Sequence, residues 1–517
     1  MVIMKKCGSL PHFFYFLMIK GKTMLYPTLE QFTDLSRKYR RVVVYREVAG
    51  DMITPISLLF NFSDADHLFL LESANLDKSF SRYTFFGIRP RRVLTFRDGT
   101  LTVESRESGI ERLKTNPIDY LVRELENENS TRNAGMGNFC GGYVGYMGYD
   151  MVNYMDILRE RVREDPDNPA MVFFQVDEFY VFDNHMGKLY AACSALMTPG
   201  AEPGEIYAAA DRRTLEMAAE ILHTRKKFFI PGGEPEQSQE FDRDSYTEAV
   251  RLLKEDIVSG ECIQTVLSNK YEIACAINPI NLYRLLRNIN PSPYMFYIKS
   301  GNEVLCGTSP EVHLKIQDRT ATLKPIAGTY RIDGGSIDEI TAKLLADEKE
   351  RAEHLMLLDL ARNDLYTGCD PDSVRVVSSF EPEVYSHLVH IVSEVQGSMR
   401  EDISPLRLFC NSFPAGTVSG APKVRAMELI DRYERSPRGF YAGCAGYFSY
   451  SQDIDTCIII RSAYVKRDRV VLRAGAGIVY DSDPDREYLE VGNKLGALFQ
   501  AIKKINTLEK RNVFNDR

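Results

Sequence analysis

Tyr441-Ala-Gly-Cys-Ala-Gly-Tyr-Phe-Ser-Tyr450, Cys457-Ile-Ile-Ile-Arg-Ser-Ala-Tyr-Val465 and Val470-Val-Leu-Arg-Ala-Gly475 are three short apolar runs separated by polar turns. They read as hairpin-joined strands. They lead into a last helix, roughly Asp485 to Lys503, whose core stripe is Val491, Leu495, Leu498, Phe499 and Ile502. Upstream, the pattern predicts a helix from Pro422 to about Tyr433, strands around Ser386 to Val395 and a long helix from about Asp338 to Ala361. Strands at Gln264 to Ala274 and Tyr294 to Lys299 follow a helix at about Ser245 to Ser259. Strands and helices mixed in this order indicate an α+β fold rather than a regular βαβ repeat.

Towards the N-terminus, Arg41 to Asp183 alternates short apolar runs with glycine and proline breakers and reads as sheet-rich, and Ile206 to Arg225 reads as helical. Ile230-Pro-Gly-Gly-Glu-Pro-Glu-Gln-Ser-Gln-Glu240 gathers proline, glycine and acidic side chains that bury no apolar area, so it reads as a linker. The chain of 517 residues exceeds the usual single-domain size. The expected division is an extension at 1–23, an N-terminal domain at 24–229, the linker at 230–240, a C-terminal domain at 241–507 and a tail at 508–517. Lys5, Lys6 and the short run Phe13 to Ile19 imitate a signal peptide without a cleavage site, and ordinary domain sequence starts at Met24.

A net charge of −8 argues against a nucleic-acid surface, which needs a clustered positive field. No run approaches the roughly 20 apolar residues that span a bilayer. Ten cysteines without a C-x-x-C pair read as free thiols of a reducing, cytoplasmic setting.

Four features carry chemistry. Glu350 and Glu353 stand at i,i+3 on a helix face that continues into Leu357 and Leu360, and Glu487 and Glu490 repeat the device on the last helix, whose face continues to Lys494. If the pairs converge, their repulsion calls for a hard divalent cation such as Mg²⁺; otherwise each pair is a solvated helix face. Phe413-Pro-Ala-Gly-Thr417-Val-Ser-Gly-Ala-Pro422-Lys reads as a helix entry, able to hold an anion or simply to start a helix. Arg461 interrupts an apolar strand and needs an anion if buried, either a ligand carboxylate or a structural Asp or Glu. Ala474-Gly475-Ala476-Gly477 lets backbone approach a ligand or makes a bulge. His387 and His390 on one strand point to opposite faces, so at most one lines a given pocket. Gly141 to Gly148 lacks phosphate-loop spacing and reads as a closely packed strand.

Together these segments resemble the chorismate-utilising enzymes, most closely the large component of anthranilate synthase, from about Thr28 to Lys503. The resemblance is densest in Gly307-Thr-Ser-Pro-Glu311, Pro325-Ile-Ala-Gly-Thr329, Asp347 to Asp364, His387 to Gly397, Gly416 to Ile430 and Tyr441 to Lys494. It implies two packed β-sheets flanked by helices and a Mg²⁺ enzyme that makes anthranilate and pyruvate from chorismate and ammonia, opening tryptophan biosynthesis. It also implies a separate glutamine amidotransferase small subunit as the ammonia source, since no room for such a domain follows the last helix. Glu353 and Glu490 match Mg²⁺ ligands, with Glu350 and Glu487 beside them. Tyr441, Arg461, Gly475, Gly477 and Lys494 fall in the carboxylate-binding segments, and Thr417 lies beside the substrate. Glu311 matches the general acid and His390, not His387, the histidine near the pyruvyl side. Gln264 stands where isochorismate and salicylate synthases carry a water-activating lysine, which favours ammonia. Ala327 stands where aminodeoxychorismate synthases often carry a lysine nucleophile, which leaves that enzyme the runner-up. Glu72 and Ser73, with Pro293, Tyr294 and Met295, resemble the family's pocket for inhibitory L-tryptophan, although Ala74 replaces the usual second serine. The third reading is a non-catalytic tryptophan-binding subunit. Tryptophan is absent from the chain although tyrosine numbers 28 and phenylalanine 27, as suits an enzyme needed when tryptophan is scarce.

Overall fold

The computed structural model describes residues 25–50, 52–74, 82–132, 135–221, 236–332, 336–384 and 388–512. Residues 1–24 with Met24, the linker segment 230–235 and His387 lie outside them.

Two antiparallel sheets, of thirteen and twelve strands, carry the molecule. In each, period-two alternation sends successive side chains to opposite faces. On His67–Glu72, Leu68 and Leu70 join one apolar core while Phe69 joins another. Tyr294–Ser300, its antiparallel neighbour, does the same, with Met295 and Tyr297 on one side and Phe296 and Ile298 on the other. The shared inner core lies between the sheets: Val43, Phe69 and Phe296 of the first meet Leu94, Phe173 and Phe448 of the second. The outer face of the first sheet is covered by helices Arg243–Val258, Pro279–Ile289, Pro484–Lys494 and Gly496–Asn512. Helix Glu348–Tyr366 covers strands Ile326–Arg331 and Leu388–Ser398 of the second. The layers run helix, sheet, sheet, helix, as expected.

The proposed division of the chain is not the division of the sheets. His67–Glu72 pairs with Tyr294–Ser300 in the first sheet, and Gly142–Met147 pairs with Cys444–Ser449 in the second, so both sheets are built jointly from the two sides of the linker. The end of that linker is itself a strand, since Glu236–Gln239 pairs with Tyr271 to Ala274 at a sheet edge. Backbone hydrogen bonding overrides its poor apolar content. Residues 508–512, expected as tail, continue the last helix.

Three elements expected to be continuous are broken, each at a residue that explains it. The helix predicted from Asp338 ends at Ala346 and restarts at Glu348 because Asp347 caps the second segment, accepting from the N–H groups of Lys349 and Glu350 at 3.0 and 3.1 Å. The last helix breaks at Leu495, before Gly496. The run from Cys457 becomes two strands in different sheets, Ile454–Ile458 and Ser462–Lys466, with Arg461 in the left-handed region (φ 52°) at the crossing. The helix entry at 413–423 also differs from expectation: helix Lys423–Tyr433 starts after Pro422 without a side-chain cap, and the Ser419 hydroxyl donates to Ala415 O at 2.9 Å instead.

Gly142–Met147 is buried along its whole length, and a Cβ on Gly145 would fall inside the van der Waals radius of Val172 O on the neighbouring strand. Backbone cannot yield as a side chain can. Gly145→Ala is therefore expected to destabilise the protein by about 2 kcal/mol or more, read as a lower midpoint in chemical denaturation; an unchanged midpoint would disprove this packing.

Candidate active site

Helices Glu348–Tyr366 and Pro484–Lys494 bring the two glutamate pairs to one place. Burial pushes the Glu350 carboxyl up to about 7, with further upward pushes from Glu353, Asp347 and Glu490. Glu353 is raised first by burial and also by Glu490, against a downward pull from Lys494 and the Gln264 amide. Glu487 is raised by burial and by Glu490, while the Ser482 hydroxyl pulls it down. Side chains a hundred or more residues apart thus feel one another's charge. Lys494 sits among them, 2.7 Å from Glu490 and donating to Gly475 O at 2.8 Å, and Gln264 Nε2 donates to Glu353 at 3.3 Å.

Glycines keep this space open. A Cβ on Gly477 would stand 2.6 Å from Gln264 Nε2 and 3.7 Å from Glu353 Oε1, and one on Gly475 would stand 2.9 Å from the Tyr441 hydroxyl. Strand Arg469–Ile478, paired with Gln264–Ala274 in register Gly477 to Val266 and Gly475 to Ser268, sets both glycines beside the acidic cluster. Oxygen donors around such a cradle suit a hard cation that keeps water and an anionic ligand. Among the described residues, no group of three or more His, Cys, Asp and Glu forms a self-sufficient metal cage. The acidic cluster would supply part of a coordination shell and a ligand the remainder.

Arg461, at the crossing between the sheets, makes no side-chain hydrogen bond or ion pair with the described residues. Desolvation lowers its pKa, and Tyr441 and Glu490 are the groups that raise it. The side chain retains partial solvent access although protein surrounds it closely, which is the situation of a guanidinium lining a recess. Such a cation can receive an incoming anion.

Glu311 is 7% exposed, and burial pushes its carboxyl up to about 8 despite the Thr417 hydroxyl, the Lys494 ammonium and the Ile326 N–H. The Thr417 hydroxyl is buried, faces this carboxyl and closes no hydrogen bond of good geometry. Both residues line a recess of about 380 Å³ with His313, Pro325, Leu360 and Asp364. The acid is held by backbone, for Ile458 N–H donates to Glu311 O at 3.1 Å. His390 is buried with Nδ1 at 3.1 Å from Gly328 O, whose residue adopts φ 67°; burial lowers its pKa against the upward pull of that hydrogen bond and Arg461 lowers it further, which favours the neutral ring. The expected residues of the main site are therefore tied by contact or charge: Glu353, Glu490 and Lys494 to Gly475, Gly477 and Tyr441, Lys494 and Thr417 to Glu311, and Arg461 to His390.

The five residues of the second motif also meet, lining a separate pocket of about 470 Å³ with Tyr83, Tyr447 and Cys457. Ser73 Oγ is buried there without a hydrogen-bond partner among the described residues. Tyr294 donates to Asp455 at 2.8 Å, and Glu72 accepts from the Tyr283 hydroxyl at 2.6 Å and pairs with Arg287 at 2.9 Å. Sequence reading missed three buried ions, Arg473 on the glycine-bearing strand itself and Glu434 and Arg438 beside it. The available signal was an arginine inside the apolar run Val470 to Ala474.

The chorismate binding enzyme family matches residues 69–500. The anthranilate synthase component 1 of Acetivibrio thermocellus is 36% identical over 492 residues, covering 93% of this chain and 99% of its own. That of Pseudomonas aeruginosa is 36% identical over 484 residues, covering 92% and 98%. The crystal structure of anthranilate synthase component I from Streptococcus pneumoniae superposes with a TM-score of 0.71 at 30% identity, over 87% of this chain and 98% of that one.

The raised Glu311 pKa has a consequence for stability. A carboxyl that binds its proton more tightly in the folded state subtracts stability as pH climbs from its ordinary range, near 4.5, to about 8. Glu311→Gln removes that loss and leaves the other carboxyls in place. The difference in melting temperature, variant minus parent, should therefore grow from about pH 5 to about pH 8; a constant difference would show that Glu311 titrates normally.

Proposed function

This chain belongs to the chorismate binding enzymes and, within them, to the anthranilate synthase component 1 family, and on that premise we propose that it joins chorismate to ammonia and eliminates pyruvate to give anthranilate, the opening step of tryptophan biosynthesis. The observation that carries the mechanism is a buried Glu311 carboxyl held up to about 8, in an electrostatic field shared with Lys494. Hydroxide is a poor leaving group. A carboxyl that stays protonated at neutral pH can protonate the departing C4 hydroxyl of chorismate, a contribution of about 10²- to 10⁴-fold. Thr417, turned toward the same carboxyl, would orient that hydroxyl. Arg461, Lys494 and Tyr441 would bind substrate carboxylates, and the glycines at 475 and 477 leave room for them. Neutral His390, fixed through Gly328 O, would serve the pyruvyl side. Gln264 is engaged with Glu353 and is no base for water, which favours ammonia as nucleophile.

The acidic cluster fits Mg²⁺: Glu353 and Glu490 would hold it, with Glu350 and Glu487 alongside. When bound, the cation would offset the carboxylate repulsion and anchor the ring carboxylate. A separate glutamine amidotransferase subunit would deliver the ammonia. Among the described residues no cysteine is joined to another by a disulfide, which suits a lyase working in a reducing cytoplasm, and no helix is long and apolar enough to cross a membrane.

The purified chain given chorismate, Mg²⁺ and an ammonium salt should release fluorescent anthranilate, stop on chelation and resume when Mg²⁺ is restored. Glu490→Gln should lower kcat/KM by about 100-fold, and the parent's kcat should fall as pH rises through about 8, where Glu311 gives up its proton. Aminodeoxychorismate as the end product would overturn the reaction, and a fully active Glu490→Gln the metal assignment.

The second pocket is proposed to bind L-tryptophan as a feedback inhibitor, with Ser73 Oγ as a hydrogen-bonding group. Losing one neutral hydrogen bond costs about 1 kcal/mol. Ser73→Ala should therefore raise the tryptophan concentration for half-inhibition about fivefold with turnover in its absence retained. Unaltered inhibition would remove Ser73 from the site.

A further inference from the structure

Beneath the substrate-facing groups lies a buried ionic knot. Glu434 and Arg438 expose 1% of their side chains each and Arg473 2%. The Glu434 carboxylate accepts from Ser268 N–H at 2.8 Å, the Ser268 hydroxyl at 2.6 Å, Arg438 Nη2 at 2.9 Å and Arg473 Nη2 at 2.8 Å. Two cations around it lower its pKa in spite of burial. Glu240, 3.6 Å from Arg473, balances the second positive charge.

Arg438 does more than neutralise Glu434. Its Nη1 donates to Val418 O at 2.6 Å, the carbonyl immediately after Thr417. Its Nη2 donates to Val266 O at 2.7 Å, on the strand that carries Gln264 and pairs Val266 with Gly477. Its guanidinium lies 5.5 Å from the Tyr441 ring and 4.8 Å from the Tyr149 ring, and Tyr441 N–H donates to Arg438 O at 3.2 Å. Ser268, opposite Gly475 in the sheet, links the carboxylate to the remaining wall.

We propose that Arg438, locked by Glu434, is a positioning residue that sets the spacing of Thr417, Gln264, Gly477 and Tyr441 around the substrate. This rests on the reading of that space as the chorismate site. A planar fork can reach two carbonyls and a carboxylate at once; a lysine ammonium keeps the charge but not the fork. Displacing a reacting group by about 1 Å costs about 100-fold in rate. With side chains almost fully buried, the knot acts through these groups rather than by contact, so its effect falls mainly on turnover.

Arg438→Lys and Ser268→Ala test this in the full chain, well below each variant's melting temperature, with rates normalised to folded protein by circular dichroism. Arg438→Lys should lower kcat for anthranilate about 10- to 100-fold while the chorismate KM moves less than about threefold. Ser268→Ala, which keeps all four charges, should lower kcat about threefold or more. Parental kcat and KM in both, with only lower melting temperatures, would make the knot purely structural and overturn the inference. Should Arg438→Lys fail to fold, Ser268→Ala decides by the same criterion. The parent in the same assay tests the chorismate reading separately, because absent anthranilate there refutes that reading whatever the variants do.

Discussion

The repulsion between Glu353 and Glu490 is the constraint on which the architecture turns. Glu353 and Glu350 on one helix are raised by burial and by the charge of Glu490 on a helix far along the chain, with Lys494 as the cation among them. Such an arrangement opposes folding locally and persists only if the surrounding structure determines it. The determination comes from the helices' apolar faces. Leu357, Leu358 and Ala361 are buried on one helix and Val491 on the other, so each helix is fixed by its core side and presents its acids at the edge.

Fixing two helices is not enough when the walls between them come from six or more chain segments. The sheets solve this by being shared. Strands from both sides of the expected linker pair in each; the Gln264 and Gly475–Gly477 segments belong to one hydrogen-bonded sheet, and Glu311 sits where the chain passes from that sheet at Ser309 to the other at Val312. The Arg438 knot adds a second reference, tying carbonyls of two of these segments to one guanidinium. Replacing buried ions with apolar groups often leaves proteins as stable or more so. The value of this knot lies in geometry.

Crossing points carry the chemistry. Ile454–Ile458 ends in the second sheet, Ser462–Lys466 begins in the first, and Arg461 sits between with positive φ and a guanidinium that pairs with none of the described residues. The same strand serves both pockets, since Asp455 and Cys457 line the second one while Ile458 N–H holds the Glu311 backbone. The two sites therefore share a rigid element.

Periodicity and residue chemistry alone determined the mixed strand and helix order, the close-packed Gly141–Gly148 run, the i,i+3 glutamate pairs and the anomaly of Arg461, because these are local properties with spacings of 2.0 and 3.6 residues. Resemblance supplied the two-sheet architecture and the separate motif of Glu72, Ser73 and Tyr294. Only the tertiary structure decided that the linker divides neither sheet, that the run through Arg461 is two strands, and that Glu434 and Glu240 balance Arg438 and Arg473 under the site. Strand partners and buried charge pairs are chosen by distance in space, and a chain read in one dimension carries no term for it.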